Sequence, residues 1–352
     1  MKNKIITIIF ILIIFFFAFA FILIPDTEVS TYERRKLASF PNEFDTDFSE
    51  NLDKYIIDQF PLRNKFINLS SEINRNIFGI KDNNDVYIVD NIIYDIEYPI
   101  DTKQINNFTN KINHIIENNL KNSNVYYSVI PDKSYFLEDD KYLKLDYNLL
   151  YETTSKIDGK YIDIKSILNL DDYYRTDIHW KQENLSKVAK LIIEEMEGKY
   201  IEQDYHMKSY NEFYGSSYSK AGSNLEPDTL VYLYNQKMNN LSVTHLEYGE
   251  KSAYDEEKLT GIDPYDVFLS GASSYIEIVN NNFVEEKELI IFRDSFASSL
   301  IPLLTPYYNK ITVIDLRYIS FNIVKQNLNF ENKDVLFLYS VPIINNSSIL
   351  KI

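Results

Sequence analysis

The chain has 352 residues, 45% of them hydrophobic and 15% aromatic, enough apolar material for a sizeable core and too much for a disordered chain. Its 52 acidic against 36 basic side chains leave a formal charge of −16, a field that repels phosphate backbones and argues against nucleic acid as a partner. With no cysteine there are no disulfides, thiol nucleophiles or cysteine metal sites, and only His114, His179, His206 and His245 remain as imidazole bases.

Residues 5–24 run without a charge for 20 positions, about 30 Å of helix, which matches the hydrocarbon core of a bilayer. Lys2 and Lys4 precede the run, so the positive-inside tendency leaves everything after Ile24 outside. A cleaved signal peptide is the alternative, with Ala18-Phe19-Ala20 as its small-x-small site. The apolar run continues past that site to Ile24, longer than a usual signal core, which favours an uncleaved single-pass anchor; either reading exports the body.

Residues 25–80 read as a juxtamembrane helical segment. Its basic trio Arg34, Arg35 and Lys36 is read as a solvated turn rather than a headgroup contact. Phe44, Phe48, Leu52, Tyr55, Ile56 and Phe60 recur at helical spacing, with an end expected near Phe60-Pro61. Buried strands are expected at 125–130, 161–164, 289–292, 311–314 and 335–339, and an amphipathic helix at 182–197. The pattern predicts a doubly wound α/β catalytic domain over 81–352, following an anchor at 1–24, with an irregular or β-rich insertion at about 205–275 that could wall a cleft.

Two phrases carry chemistry. Arg293-Asp294-Ser295-Phe296 follows the strand at 289–292 and precedes an apolar helix, which puts Ser295 at the carboxyl edge of the sheet and at a helix N-terminus able to hold an oxyanion. The plain alternative is that Asp294 or Ser295 only caps that helix. In Asp177-Ile178-His179-Trp180, an extended backbone would turn Asp177 and His179 to one side, where the carboxylate orients the imidazole and the imidazole takes a serine proton. The alternatives there are an N-cap with a half-buried His, or a fragment of a metal site; with no Cys and no second His at ligand spacing, no metal is expected.

Thr176-Asp177-Ile178-His179-Trp180 before a helix, and Asp294-Ser295-Phe296 after a strand, resemble the paired signature of the alginate O-acetyltransferase-like SGNH group, with its DHHW-motif members in Gram-positive bacteria. The phrases Glu33-Arg34-Arg35-Lys36-Leu37, Asp58-Gln59-Phe60-Pro61-Leu62-Arg63 and Ile130-Pro131-Asp132-Lys133 extend the likeness over most of the exported body. The resemblance implies an SGNH-hydrolase-like sheet with permuted motif order, Ser295 as nucleophile, His179 as general base and acid, and Asp177 as its orienter. It also implies acetyl transfer to a cell-surface glycan beside a multispanning membrane-bound O-acyltransferase, with no cofactor. Two positions depart from the pattern: Ile178 replaces the first His of the DHHW phrase, and Asn184 stands where relatives commonly have Gly. Arg317, Tyr318, Lys133 and Arg293, close to strand ends, are candidate substrate or oxyanion groups. An acetylesterase using water as acceptor, and a non-catalytic glycan-binding protein, are the competing readings.

Overall fold

The computed structural model describes residues 2–138 and 141–352. Its centre is an eight-stranded sheet made of β1 (Asn124–Ile130), β2 (Lys160–Tyr161), β3 (Leu241–His245), β4 (Gly249–Lys251), β5 (Tyr275–Asn280), β6 (Glu288–Arg293), β7 (Lys310–Ile314) and β8 (Asp334–Ser340), in the order β4-β3-β5-β7-β6-β8-β1-β2. The five strands from β7 to β2 are parallel, and β5, β3 and β4 extend the sheet antiparallel at one edge. The fold is thus α/β with a mostly parallel sheet; the antiparallel edge comes largely from the stretch expected as an insertion.

Both faces of the parallel part are covered, which is why its strands read as continuous apolar runs. The helices longer than one turn are α1 (Lys2–Leu23), α2 (Phe48–Asp58), α3 (Arg63–Asn76), α4 (Thr102–Asn119), α5 (Tyr147–Thr154), α6 (Ser186–Glu195), α7 (Ala297–Leu304) and α8 (Phe321–Asn327). Along β6, Leu289 and Ile291 pack with α6 and α7, while Ile290 and Phe292 pack on the other face with α4 and α8. Helix α4 starts where Asp101 accepts the N–H groups of Lys103 and Gln104, and it turns Ile105, Phe108, Ile112 and Ile115 onto the sheet.

Two local expectations are corrected. The strand expected at 161–164 pairs only over Lys160–Tyr161, then tightens into a 3₁₀ turn at Ile164–Ile167. The helix expected at 182–197 begins with a separate 3₁₀ turn, Gln182–Asn184, because the Gln182 side chain is pinned into the core and α6 can start only at Ser186.

At the N-terminus, the 20 residues Lys4–Leu23 of α1 contain an 18-residue window with a mean hydropathy of 3.3, long and apolar enough to cross a membrane. A strap at 24–36 leads from α1 back over the carboxyl edge of the sheet before α2 and α3. An antiparallel hairpin, His206–Phe213 with Asp228–Tyr234, and a 3₁₀ turn at Pro264–Val267 approach the same edge.

Candidate active site

Ser295 is half-buried at the turn from β6 to α7, between fully buried neighbours. Neither Ser295 nor Asp294 caps α7, whose N-cap is Phe296 with no side-chain cap hydrogen bond; the turn before it is braced by Asp294. Its Oδ1 accepts the Phe296 N–H (3.0 Å), and its Oδ2 accepts the N–H and hydroxyl of Ser340, each at 2.7 Å, tying the turn to the end of β8. Ser295 Oγ instead lies 2.9 Å from His179 Nε2.

Asp177 and His179 do face one cleft, but not along an extended strand. Tyr173 and Trp180 form an antiparallel bridge, the Tyr174 N–H donates to the His179 carbonyl (3.1 Å), and the Lys181 N–H to that of Asp172 (2.7 Å), so the phrase is the tip of a tight loop. The turn is closed by Asp177 itself: Oδ1 accepts the His179 N–H at 2.9 Å and lies 2.5 Å from His179 Nδ1. Ile178 points away and packs on the core of the α6/α7 face.

The other oxygen of Asp177 is held by groups from two distant segments. Oδ2 accepts the Ser216 N–H (2.7 Å) and Arg34 Nη1 (2.8 Å). Burial alone would raise the Asp177 pKa, but the His179 imidazole, its hydrogen bonds and Arg34 outweigh it and hold the carboxyl well below the usual range. It therefore stays ionised, keeps the Nδ1–H tautomer of His179 in place, and leaves the Nε2 lone pair toward Ser295. Arg34 corrects the reading of a solvated turn: its side chain is only 9% exposed, pairs also with Asp263, and its guanidinium lies 5.6 Å from the Phe213 ring centre. Lys36 is exposed as expected, and Arg35, bonded to Asp58 and Glu33, remains partly exposed.

The loop is clamped on every side. Asp228 accepts the Thr176 N–H (2.8 Å) and hydroxyl (2.6 Å), and the Gly215 N–H donates to Thr176 Oγ1 (3.0 Å). A Cβ at Gly215 would overlap the Asp177 nitrogen and the Thr176 carbonyl, so only glycine allows this approach. Trp180 Nε1 donates to the Phe296 carbonyl (2.8 Å) and Ser299 Oγ (3.0 Å), fixing the loop to the start of α7. Tyr265 stacks on the His179 ring, 3.9 Å between centres and 10° between planes, and its hydroxyl reaches Ser299 Oγ at 2.9 Å.

The secondary candidates divide. Lys133 is 3% exposed and donates to the carbonyls of Tyr174 (3.3 Å) and Arg175 (3.5 Å); it props the loop from behind, with burial lowering its pKa to about 8 against the pull of Asp95 and Asp177. Arg293 is 1% exposed and bonds the Asp294 carbonyl and Ser298 Oγ, so it braces the turn from inside. Arg317 is held by Asp315 through Nε (2.9 Å) and Nη2 (2.6 Å), and Tyr318 beside it is exposed. The structure thus brings Ser295, His179 and Asp177 into one relay, leaves Arg317 and Tyr318 at the sheet edge, and withdraws Lys133 and Arg293 from it. Sequence reasoning missed Arg34, Ser216 and Tyr265; Gly215, one of 8 glycines in the chain, was the available signal for the second.

A mostly parallel sheet with helices on both faces, and a serine at its carboxyl edge faced by an Asp-x-His loop from earlier in the chain, define an SGNH-hydrolase-like α/β fold. Solved structures share it: a DHHW family protein from Eubacterium siraeum, 20% identical with a TM-score of 0.63, covering 76% of this chain and 94% of that one, and Bacillus cereus PatB1 with a sulfonyl adduct, 18% identical with a TM-score of 0.60, covering 74% and 95%. The O-acetyltransferase domain of Pseudomonas putida AlgJ is more distant, at 10% identity and a TM-score of 0.43 over 74% of this chain and 92% of that one. No family model and no curated protein sequence matches the chain.

Proposed function

We propose that this protein is an extracytoplasmic serine-dependent O-acyltransferase that places acetyl groups on a cell-surface polysaccharide, with the body exported behind a single-pass anchor. The observation that carries the reading is the continuous relay from Asp177 through His179 to Ser295, with contacts of 2.5 and 2.9 Å. Nucleophile, base and orienter at hydrogen-bonding distance are what acyl transfer requires.

In this reading the Ser295 oxygen attacks the acyl carbonyl carbon while its proton passes to His179 Nε2. The resulting imidazolium is stabilised by Asp177 and returns the proton to the leaving oxygen as the donor's C–O bond breaks, leaving an acyl-serine. A glycan hydroxyl then attacks that ester, gives its proton to Nε2, and Ser295 departs by taking the proton back. The oxyanion in both steps faces the N-terminal end of α7, where the Ser295 N–H has no acceptor among the described residues and is the first donor in line. The acyl donor comes from a multispanning membrane acyltransferase, consistent with the likeness to the alginate O-acetyltransferase-like group. Arg317 and Tyr318 are the candidates for contacting the sugar.

The test is incubation with p-nitrophenyl acetate, followed by intact mass and peptide mapping. One acetyl group is expected on Ser295, absent in Ser295→Ala, and discharged faster by a hydroxyl-bearing oligosaccharide than by water. Discharge at one rate with or without the oligosaccharide would make the protein an esterase; no acetyl on Ser295 overturns the enzymatic reading.

A further inference from the structure

Helix α3 is inside out for a protein surrounded by water. Its polar face is docked on the body: Asn68 Nδ2 donates to the Ser223 carbonyl (3.1 Å) and Asn224 Oδ1 (2.9 Å), Arg75 donates to the carbonyls of Ala221 (2.6 Å) and Gly222 (3.1 Å), and Ser71 is buried. Its apolar face points outward, with Leu62, Phe66, Leu69 and Ile77 exposed by 52%, 45%, 51% and 72%. At spacings of four, three and eight they share one side of the helix. Helix α2, which precedes it, has no buried residue at all. A contiguous apolar stripe of this size, opposite a face already satisfied by the body, marks an interaction surface.

Helix α1 indicates what covers it. Phe17 stacks on Phe60 at 5.4 Å and lies 5.6 Å from Phe66, and Phe21 meets Tyr55 edge-on at 5.6 Å. Phe17 is seven residues inside Ile24, roughly 10 Å down the helix axis from the outer end of the apolar run. With α1 across a bilayer, that depth is hydrocarbon, and the rings of Phe60 and Phe66 lie beside it. The exposed face of α3 is continuous with this contact.

We propose that the α2–α3 hairpin, with its Phe60-Pro61-Leu62 turn, is seated in the outer leaflet and that lipid hydrocarbon occupies the apolar face of α3; this rests on the reading of α1 as a transmembrane anchor. Such a seat fixes more than orientation. Arg34 is held at Asp177 and follows Ile24 by ten residues, a reach of at most about 36 Å even fully extended. The Ser295 cleft therefore stands at a set, short height above the membrane, where an acyl group carried through the bilayer emerges. A soluble acyl donor would need no such seat.

The test uses the full chain in nanodiscs of phosphatidylcholine brominated at mid-chain, with single tryptophans added. Trp180, fully buried in the body, supplies a constant background. Phe66→Trp and Leu69→Trp are expected to be quenched as strongly as Phe16→Trp in α1, while Val284→Trp, at the opposite edge of the sheet, is not. Quenching at 16 without quenching at 66 and 69 overturns the seat, leaves the anchor standing, and points to a protein partner or a second copy over the face. Absence of quenching at 16 overturns the anchor on which the proposal rests. Unchanged labelling of Ser295 by a sulfonyl fluoride verifies that each variant is folded.

Discussion

Two regions meet at Ser295 and are built on different principles. The floor, β6 with the turn into α7, is buried from Leu289 to Asp294 and opens only at Ser295, and its geometry follows from neighbours within a few residues or on the next strand, such as Asp294 and Ser340. The wall is assembled from chain segments far apart in sequence: the loop at 173–180, Arg34 from the strap, Ser216 and Tyr265 from the stretch at 205–275. The floor is one element of a sheet and cannot move without unfolding it. The wall is a set of contacts that must all be made together, so its small errors are felt as misaligned chemistry rather than as lost fold.

Substitution on the floor should have the largest effect on rate and the least on stability. Ser295→Ala is expected to lower turnover by roughly 10³-fold or more with an unchanged thermal midpoint, since the side chain adds little to the core. His179→Ala should match it, and the double variant should be no worse than either, because the two act as one unit; additive losses, read from p-nitrophenyl acetate kinetics, would separate them. On the wall, Gly215→Ala is the sharpest probe. The added methyl must displace Thr176 and Asp177, which should cost about 1–3 kcal/mol in stability. A shift of about 1 Å at the orienting carboxylate is expected to cost roughly 10²-fold in rate. A Gly215→Ala variant with normal kinetics would show that the wall tolerates slack, and the contrast between the two regions would go.

The same contrast explains how much could be read from the residues. Strands β1, β6, β7 and β8 were legible to within a residue or two, because a strand covered on both faces is a short apolar run bounded by turn residues. Strands β3 and β5 were not: Ser242, Thr244 and Glu277 alternate with apolar residues in a short, weak pattern next to irregular loops. Ser295, His179 and Asp177 stood out because each sits beside its own local signal. Arg34 and Tyr265 carry none, since their roles exist only after segments more than 80 residues apart in sequence come together. The apolar face of α3 is equally silent about direction in the sequence: period alone says that a helix has an apolar face, not what lies against it.

Arg34 offers the next, smaller effect and one with a pH signature. Asp177 has its folded pKa depressed, so its charge, and the stability and orientation that depend on it, are present above the unfolded value near 3.9 and are lost only as pH falls through the lower folded value. Arg34→Ala removes one of the groups that depress it, so the loss should begin at higher pH. Rate should fall about 10-fold at neutral pH, in line with about 1.5 kcal/mol for a hydrogen bond to a charged group. The rate of sulfonyl fluoride labelling of Ser295 against pH measures both, and Arg34→Lys should restore part of each. A uniform drop at all pH values would mean that Arg34 only fastens the strap.

Tyr265 should give the smallest effect and the finest distinction. Its ring covers His179 and its hydroxyl bonds Ser299 Oγ, which also receives Trp180 Nε1. Tyr265→Phe keeps the ring and removes one hydrogen bond of about 1 kcal/mol, so stability should fall by about that amount and the rate by less than about 5-fold. Tyr265→Leu keeps apolar bulk but loses the parallel ring that limits rotation of the imidazole, so its rate should fall further than that of the phenylalanine variant at equal stability. The pair therefore separates holding the loop from holding the ring. Equal rates would assign Tyr265 to the fold of the wall, and a slower leucine variant would assign it to the alignment of His179 Nε2 on Ser295.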